Sequence, residues 1–175
     1  MPDSVPASAL DSPVQQDAAA FKELMSAFPS GVAVVTVTDR TGEPHGFTCS
    51  SLCSVGLAPP TLLICVSNRS GTLAIIRDRG RFAVNLLHSQ GRHAAEVFSS
   101  GAPDRFSSLP WAPTQRLGLP HLVEHAHAIA ECEVTKTTVA SDHVIVLGEV
   151  AAVTYRQEPP LLYGLRQYAT WPSAV

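Results

Sequence analysis

Six or seven strand-like segments, joined largely by short turns, constrain the fold of this chain more than any other feature. Few helical patterns separate them, and this favours antiparallel strands because parallel strands need long crossover connections. The clearest segments are residues 31–38, 61–66, 81–87, 128–135 and 143–155. The sequence therefore predicts a mainly β protein, built as an antiparallel barrel with a few flanking helices.

Helical patterns occur in two places that matter for the rest of the chain. Four apolar residues at helical spacing precede Pro29 and predict an amphipathic helix packed on the barrel. A second pattern, residues 73–77, follows a strand and ends at Asp78-Arg79-Gly80, where Gly80 is suited to a left-handed helix cap. The four apolar residues of the first helix are Phe21, Leu24, Met25 and Phe28.

Length and composition exclude several classes of protein. The chain has 175 residues, 45% of them hydrophobic, and a net charge of −3. It lacks a basic stripe for nucleic acid and an apolar run near the ~20 residues of a membrane span. The four cysteines form no CxxC pair and no export signal is present, so reduced thiols in the cytoplasm are expected. We expect a disordered tail over residues 1–14 and a single domain over residues 15–175.

The stretch from residue 46 to residue 87 combines features of a ligand site. Residues 48–51 are small hydroxyl or thiol side chains, which allow a flat ligand to approach the backbone closely. The strand at 61–66 then leads through the polar residues 67–72 into the second helix. Unpaired amides at a helix start, together with Arg69, can bind an anion.

Four short motifs resemble the flavin reductase family that supplies reduced flavin to two-component monooxygenases. In chain order they are GFTCSS at 46–51, FAVNL at 82–86, DH at 142–143 ahead of VIVLGEV, and PLLY at 160–163. The resemblance covers residues 21–168. It implies an FMN-binding split β-barrel and an NAD(P)H:flavin oxidoreductase. It also implies a homodimer with sites at the subunit interface and a separate oxygenase that receives reduced flavin by diffusion.

The resemblance also implies roles for individual residues, with FMN or FAD as the flavin and NADH or NADPH as the reductant. His143 would position the nicotinamide. The flavin ring and ribityl chain would lie on the small residues after the second strand, and the phosphate would lie at the helix start. The implied flavin-binding residues are Thr48, Cys49, Ser50, Ser51, Ser67, Asn68, Arg69, Ser70, Gly71 and Thr72. Asn85, an amide within an apolar run, is a further candidate flavin ligand on its own chemistry.

Several alternatives remain open on the sequence alone. Ser70 or Thr72 could be an ordinary helix cap, and His143 could be a turn histidine without a role. Asn85 lies in an apolar run and needs hydrogen-bond partners, either neighbouring backbone or a ligand. The proline-rich stretch 100–120 is unusually long for a loop, and residues 106–111 are expected to cover the ligand site or a partner subunit.

A metal site and two other functions are alternatives to a flavin reductase. The HxxxHxH pattern of His121, His125 and His127 hints at metal, but no acidic or thiol ligand is in phase, so we predict no metal site. A flavin-binding protein without reductase activity is one rival function. A haem-handling protein on the same barrel, with a histidine as axial ligand, is the other.

Overall fold

The structure is a computed structural model that describes residues 17–171. The predicted tail at residues 1–14 therefore lies outside the described residues. Helix α1 spans Ala18–Ser26, α2 Gly71–Arg79 and α3 Arg92–Ser99. The strands are β1 Ser30–Gly31, β2 Ala33–Thr38, β3 Pro44–Cys49, β4 Leu52–Leu57, β5 Pro60–Ser67, β6 Arg81–Leu87, β7 Ala112–Pro113, β8 Pro120–His121, β9 Ala126–Ala140, β10 His143–Tyr155, β11 Leu161–Gly164 and β12 Gln167–Thr170.

One seven-stranded antiparallel sheet forms most of the molecule, in the order β3-β2-β6-β9-β10-β5-β4. Its long strands are β-branched and apolar, which suits a pleated, buried surface. Strands β1, β11 and β12 form a smaller sheet, and β7 pairs with β8. The mainly antiparallel β fold predicted from the sequence is confirmed.

The two edges of the large sheet are consecutive in the chain. Strand β3 ends at Cys49 and β4 begins at Leu52, so only Ser50 and Ser51 join opposite edges of the sheet. Three Cα–Cα steps span at most about 11 Å, so the sheet must curl until its edges nearly meet. This is the geometry of a split barrel, and we call the junction at Ser50 and Ser51 the seam.

The barrel interior holds the main apolar core. Side chains from β2, β3, β5, β6, β9 and β10 meet there, together with Leu73 and Ile76 of α2. Close packing leaves no room for a side chain at Gly148, where an added Cβ would lie 2.7 Å from the Phe82 ring. Helix α2 ends as predicted, with Gly80 in the left-handed region at φ 63°.

Helix α1 forms where the apolar spacing predicts it, with Asp17 capping the first turn. The expectation that it packs on the barrel is wrong for this chain alone, because none of its residues is buried. The four apolar residues of its predicted inner face are between 45% and 68% exposed. Strand β4, which the sequence patterns did not indicate, is also exposed from Cys53 to Leu57.

Candidate functional site

A cavity of about 290 Å³ opens at the seam, and we call it the seam cavity. Ser50 and Ser51 lie on one side, exposed because they link two edge strands rather than pair inside the sheet. The ends of β5 and β10 form the other side. Its lining residues are Phe47, Thr48, Cys49, Ser50, Ser51, Cys65, Val66, Ser67, Ser70 and His143.

The β5–β10 pairing places His143 at this cavity. The register sets His143 directly opposite Ser67, at the point where β5 leads towards α2. Ser141, at φ 56°, forms the tight turn between β9 and β10 that presents His143 at the strand start. The chain therefore brings together the predicted nicotinamide residue, two residues of the predicted phosphate segment and the predicted ring-binding residues.

His143 is held by the residue before it. Its Nδ1 lies 2.8 Å from Asp142 Oδ1, and the side chain is 46% exposed. The hydrogen bond and charge of His143 hold the pKa of Asp142 below its usual value. A carboxylate on Nδ1 favours the tautomer with the proton on that nitrogen and leaves Nε2 free to accept a hydrogen bond.

Helix α2 begins with groups suited to an anion. Ser70 is the N-cap residue, yet its side chain makes no capping hydrogen bond. The Ser70 amide donates to Ser67 O and the Leu73 amide to Ser70 O, and Gly71 between them is exposed. First-turn amides and the positive end of the helix dipole both favour a phosphate at this position.

Asn68 fastens this helix start to the hairpin that carries His143. Its Nδ2 donates to Ser141 O at 3.1 Å, and its backbone amide donates to Asp142 O at 2.9 Å. Asn68 lines neither this cavity nor the neighbouring one among the described pockets. Its side chain therefore positions the two halves of the site relative to each other.

Thr48 and Cys49 contribute in different ways. Thr48 Oγ1 donates to Ala95 O of α3 at 2.7 Å, so its lone pairs remain available on the cavity side. Burial raises the pKa of the Cys49 thiol to about 11, although the backbone N–H groups of Ser51 and Cys65 oppose the shift. Cys49 is therefore a neutral thiol in the wall of the site at pH 7.

Asn85 does not belong to the site, which corrects its assignment as a flavin ligand. The side chain is fully buried, and Nδ2 donates to Val34 O, Thr36 Oγ1 and Pro120 O at 3.1–3.3 Å. Its Oδ1 accepts the amide of Leu122 at 2.9 Å. The backbone alternative left open by the sequence therefore holds, and Asn85 ties β6 to β2 and to the loop before β9.

A second cavity, of about 620 Å³, adjoins the seam cavity at Phe47, Thr48 and Ser70, and we call it the arginine cavity. The residues that line it from the start of α2 were predicted from the sequence. Arg105 was not predicted, because it comes from the irregular proline-rich stretch and belongs to no sequence motif. The lining residues are His45, Phe47, Thr48, Arg69, Ser70, Gly71, Thr72, Ile75, Phe98, Ser99, Gly101 and Arg105.

On its other side the seam cavity continues into a groove of about 720 Å³ beneath α1, which we call the helix groove. The two share Ser50, Ser51 and Cys65. Phe21 and Met25 of α1 line the groove, together with Phe28 just after the helix. Arg166, which forms an ion pair with Glu23, also lines it. Because they share these lining residues, the three spaces adjoin one another, and we call them together the channel.

Residues 106–111, which were expected to cover the ligand site or a partner subunit, line none of these three spaces, and a contact with a partner subunit stays a prediction. Phe106 packs edge-on against Phe98 with ring centroids 4.8 Å apart, and Trp111 packs on Phe106 at 5.9 Å. These rings complete a second core around α3. Within residues 17–171, no three His, Cys, Asp or Glu side chains are grouped to hold a metal ion.

Comparison with known proteins gives a consistent result. Residues 25–172 match the family described as flavin reductase like domain. The chain is 55% identical to a flavin reductase (NADPH) of Lentzea aerocolonigenes over 154 residues, which are 88% of this chain and 90% of that protein.

Two solved structures are similar to the whole described fold. The NADH:FAD oxidoreductase SgcE6 of Streptomyces globisporus, in complex with NAD and FAD fragments, has a TM-score of 0.85 at 30% identity. The alignment covers 90% of this chain and 94% of that one. The styrene monooxygenase flavin reductase of Pseudomonas putida S12 has a TM-score of 0.79 at 31% identity, over 89% of this chain and 99% of that one.

Proposed function

Because this chain belongs to the flavin reductase like domain family, we propose that it transfers hydride from NADH or NADPH to FMN or FAD. The observation that supports this most directly is the seam cavity, where Ser50 and Ser51, the start of α2 and His143 face one space. When bound, the flavin supplies the hydride acceptor, and the protein binds and orients the two rings.

The residues at the seam fit the ring of a flavin. Small side chains at Ser50 and Ser51 leave the backbone accessible, and amides beside them can donate to the polar edge of the ring. Phe47 supplies an apolar wall from β3. Ring binding at these residues would place the rest of the molecule between β5 and α2.

The start of α2 fits the phosphate of the flavin. Ser70, Gly71 and Thr72 at this helix start line the arginine cavity, the Ser70 side chain leaves the first-turn amides uncapped, and Arg69 adds a full positive charge. A phosphate there would receive charge-assisted hydrogen bonds from neutral and cationic donors. Ser67 and Thr72 complete the polar surroundings.

His143 fits the role of orienting the nicotinamide. With Nδ1 held by Asp142, Nε2 can accept a hydrogen bond from a carboxamide N–H group. Such a contact would fix the plane of the nicotinamide over the flavin without any proton transfer by the histidine. This matters because hydride transfer depends on the distance and alignment between the nicotinamide carbon that donates the hydride and the flavin nitrogen that accepts it.

We further propose that two copies of the chain associate through α1 and β4. Phe21, Leu24 and Phe28 are 62–68% exposed, and Leu57 of β4 is 91% exposed. Exposed apolar patches of this kind mark association sites. Because α1 also lines the helix groove, a second copy that covers α1 would enclose the flavin channel.

Reduced flavin would leave the protein and reach a separate oxygenase. One of the similar structures is the flavin reductase of a monooxygenase. The described residues contain no helix long and apolar enough to cross a membrane. The four cysteines are free in the structure, and we propose the cytoplasm, where thiols stay reduced, as the place of action.

The test is anaerobic addition of NADH or NADPH to flavin-loaded protein. We expect loss of the oxidised-flavin absorbance with at least one nicotinamide, and the His143→Ala variant should lose it more slowly. If flavin binds but neither nicotinamide reduces it, the protein is a flavin-binding protein without reductase activity. A Soret band on haem titration, with no flavin bound, would support the haem-handling rival instead.

A further inference from the structure

The arginine cavity is larger than the phosphate of FMN requires. It meets the seam cavity at Phe47, Thr48 and Ser70, beside the proposed phosphate position, and its volume of about 620 Å³ also reaches Ser99 and Arg105, which do not line the seam cavity. Pockets that hold ligands of drug size have about 300–1,000 Å³. If FMN fills the seam cavity up to the helix start, this space remains beyond its phosphate.

The charges around the cavity favour a second phosphate. Arg105 Nε donates a hydrogen bond to Ala102 O at 2.6 Å, and Nη1 donates to Gly46 O at 2.8 Å and Phe98 O at 3.3 Å. These acceptors are neutral carbonyls, so they fix the guanidinium in place without cancelling its charge. Arg105 is also only partly exposed, which limits solvent screening of that charge.

Negative charge is missing from the same walls. None of the described residues that line the cavity is acidic. Within residues 17–171, no carboxylate lies within salt-bridge distance of Arg69 or Arg105; His45 is paired with Asp39 at 3.1 Å. Two arginines and a helix start therefore face one space that no carboxylate lines, which fits an anion such as a pyrophosphate. Asp142, outside this lining, is close enough for the charge of Arg69 to help lower its pKa.

The remaining wall is apolar and fits a base. Phe47 and Ile75 are half-buried and line the cavity beside the charged groups. An adenine ring presents two flat apolar faces and can rest on such side chains. Cationic groups with apolar side chains beside them match the two kinds of group, phosphate and base, in an adenosine monophosphate.

We propose that the arginine cavity binds the adenosine monophosphate half of FAD, which makes FAD rather than FMN the preferred flavin of this protein. The inference rests on the proposed function, because it starts from a flavin phosphate at α2. The 2′-phosphoadenosine end of NADPH has the same chemistry, so the experiment must separate these two sources.

Ser99 offers a way to test the cavity without changing the flavin ring site. It is exposed at the end of α3 and lines only the arginine cavity among the described pockets. The Ser99→Glu variant places a carboxylate near the proposed pyrophosphate, and Ser99→Gln is the neutral control of equal size. Dissociation constants for FAD, FMN and free AMP are measured by equilibrium dialysis, and KM is measured for NADH and NADPH.

We expect FAD to bind at least tenfold more tightly than FMN, and AMP to compete with FAD. Ser99→Glu should weaken FAD about tenfold and FMN less than twofold, while Ser99→Gln changes neither. Equal affinity for FAD and FMN, or equal weakening of both by Ser99→Glu, would overturn the inference. So would a rise in KM for NADPH alone. A protein that binds neither flavin would instead refute the proposed function.

Discussion

Strands β6 and β4 belong to the same sheet but have opposite surroundings. Four consecutive residues of β6, from Phe82 to Asn85, are buried, whereas β4 is exposed from Cys53 to its end. The Asn85 side chain of β6 is fully hydrogen-bonded to protein, and Ser50 and Ser51 beside β4 are exposed and line the seam cavity. The middle of the sheet therefore provides stability, and its two edges provide the site and an apolar surface.

The largest effect that would test this contrast is expected in the middle of the sheet. Asn85→Leu removes four hydrogen bonds and leaves the Leu122 amide buried without its acceptor. The free energy of unfolding should fall by about 3 kcal/mol. Denaturant unfolding measures this free energy. The control is Ser54→Ala on β4, whose free energy of unfolding should stay within about 0.5 kcal/mol of wild type. A stable Asn85→Leu protein with weakened flavin binding would restore Asn85 to the site.

The next effect concerns the exposed apolar surface. Phe28→Glu places a charge in the exposed apolar surface just after α1 and should convert a dimer to a monomer, because a buried unpaired charge costs about 2 kcal/mol or more. Light scattering coupled to gel filtration measures the mass, with Phe28→Leu as the apolar control. A wild-type protein that is monomeric at high concentration would remove the proposed interface.

A smaller effect is expected at the start of α2, where it separates a helix cap from a phosphate site. Gly71 has room for a side chain, since nothing lies within 4 Å of an added Cβ. Gly71→Asp should weaken flavin binding about tenfold, yet keep or raise stability, because a carboxylate suits a helix start. Flavin titration measures the expected loss of affinity, and thermal unfolding measures the expected unchanged or higher stability. Gly71→Asn is the control. Unchanged flavin affinity would leave Ser70 as an ordinary cap.

The smallest effect concerns His143 and Asp142. His143→Gln should raise KM for the nicotinamide about fivefold with little change in kcat, because it removes an orienting contact. The same variant should raise the pKa of Asp142 towards its usual value, since the His143 hydrogen bond is the main cause of its lowering. The folded state favours the ionised form of Asp142, so this carboxylate stabilises the fold slightly, and that stabilisation is lost as the pH falls through the folded pKa of Asp142. NMR titration of Asp142 and steady-state kinetics measure the two changes separately.

The sequence was sufficient where a local pattern and its surroundings agree. Strand β10 forms over His143–Tyr155 as predicted, because its apolar residues lie between two neighbouring strands. Gly80 adopts the left-handed cap expected of a glycine after a helix. At both positions the local pattern and the tertiary surroundings favour the same conformation.

The sequence was insufficient where the partner of a side chain decides its role. Asn85 needed hydrogen bonds, but only the fold shows that Pro120 and Leu122 provide them. The spacing in α1 indicated an apolar face without indicating what covers it. Strand β4 was missed because its six residues mix small, polar and apolar types around Gly56. Arg105 reaches its cavity from a loop without periodicity.

The two-residue connection between β3 and β4 has a consequence for motion. Opposite edges of one sheet are joined only through Ser50 and Ser51, so any breathing of the curled sheet must widen or narrow the gap at that point. A molecule that spans the gap would restrain both rims together. Amide hydrogen exchange in β3 and β4, far more than in the interior strands, should therefore report whether the channel is filled.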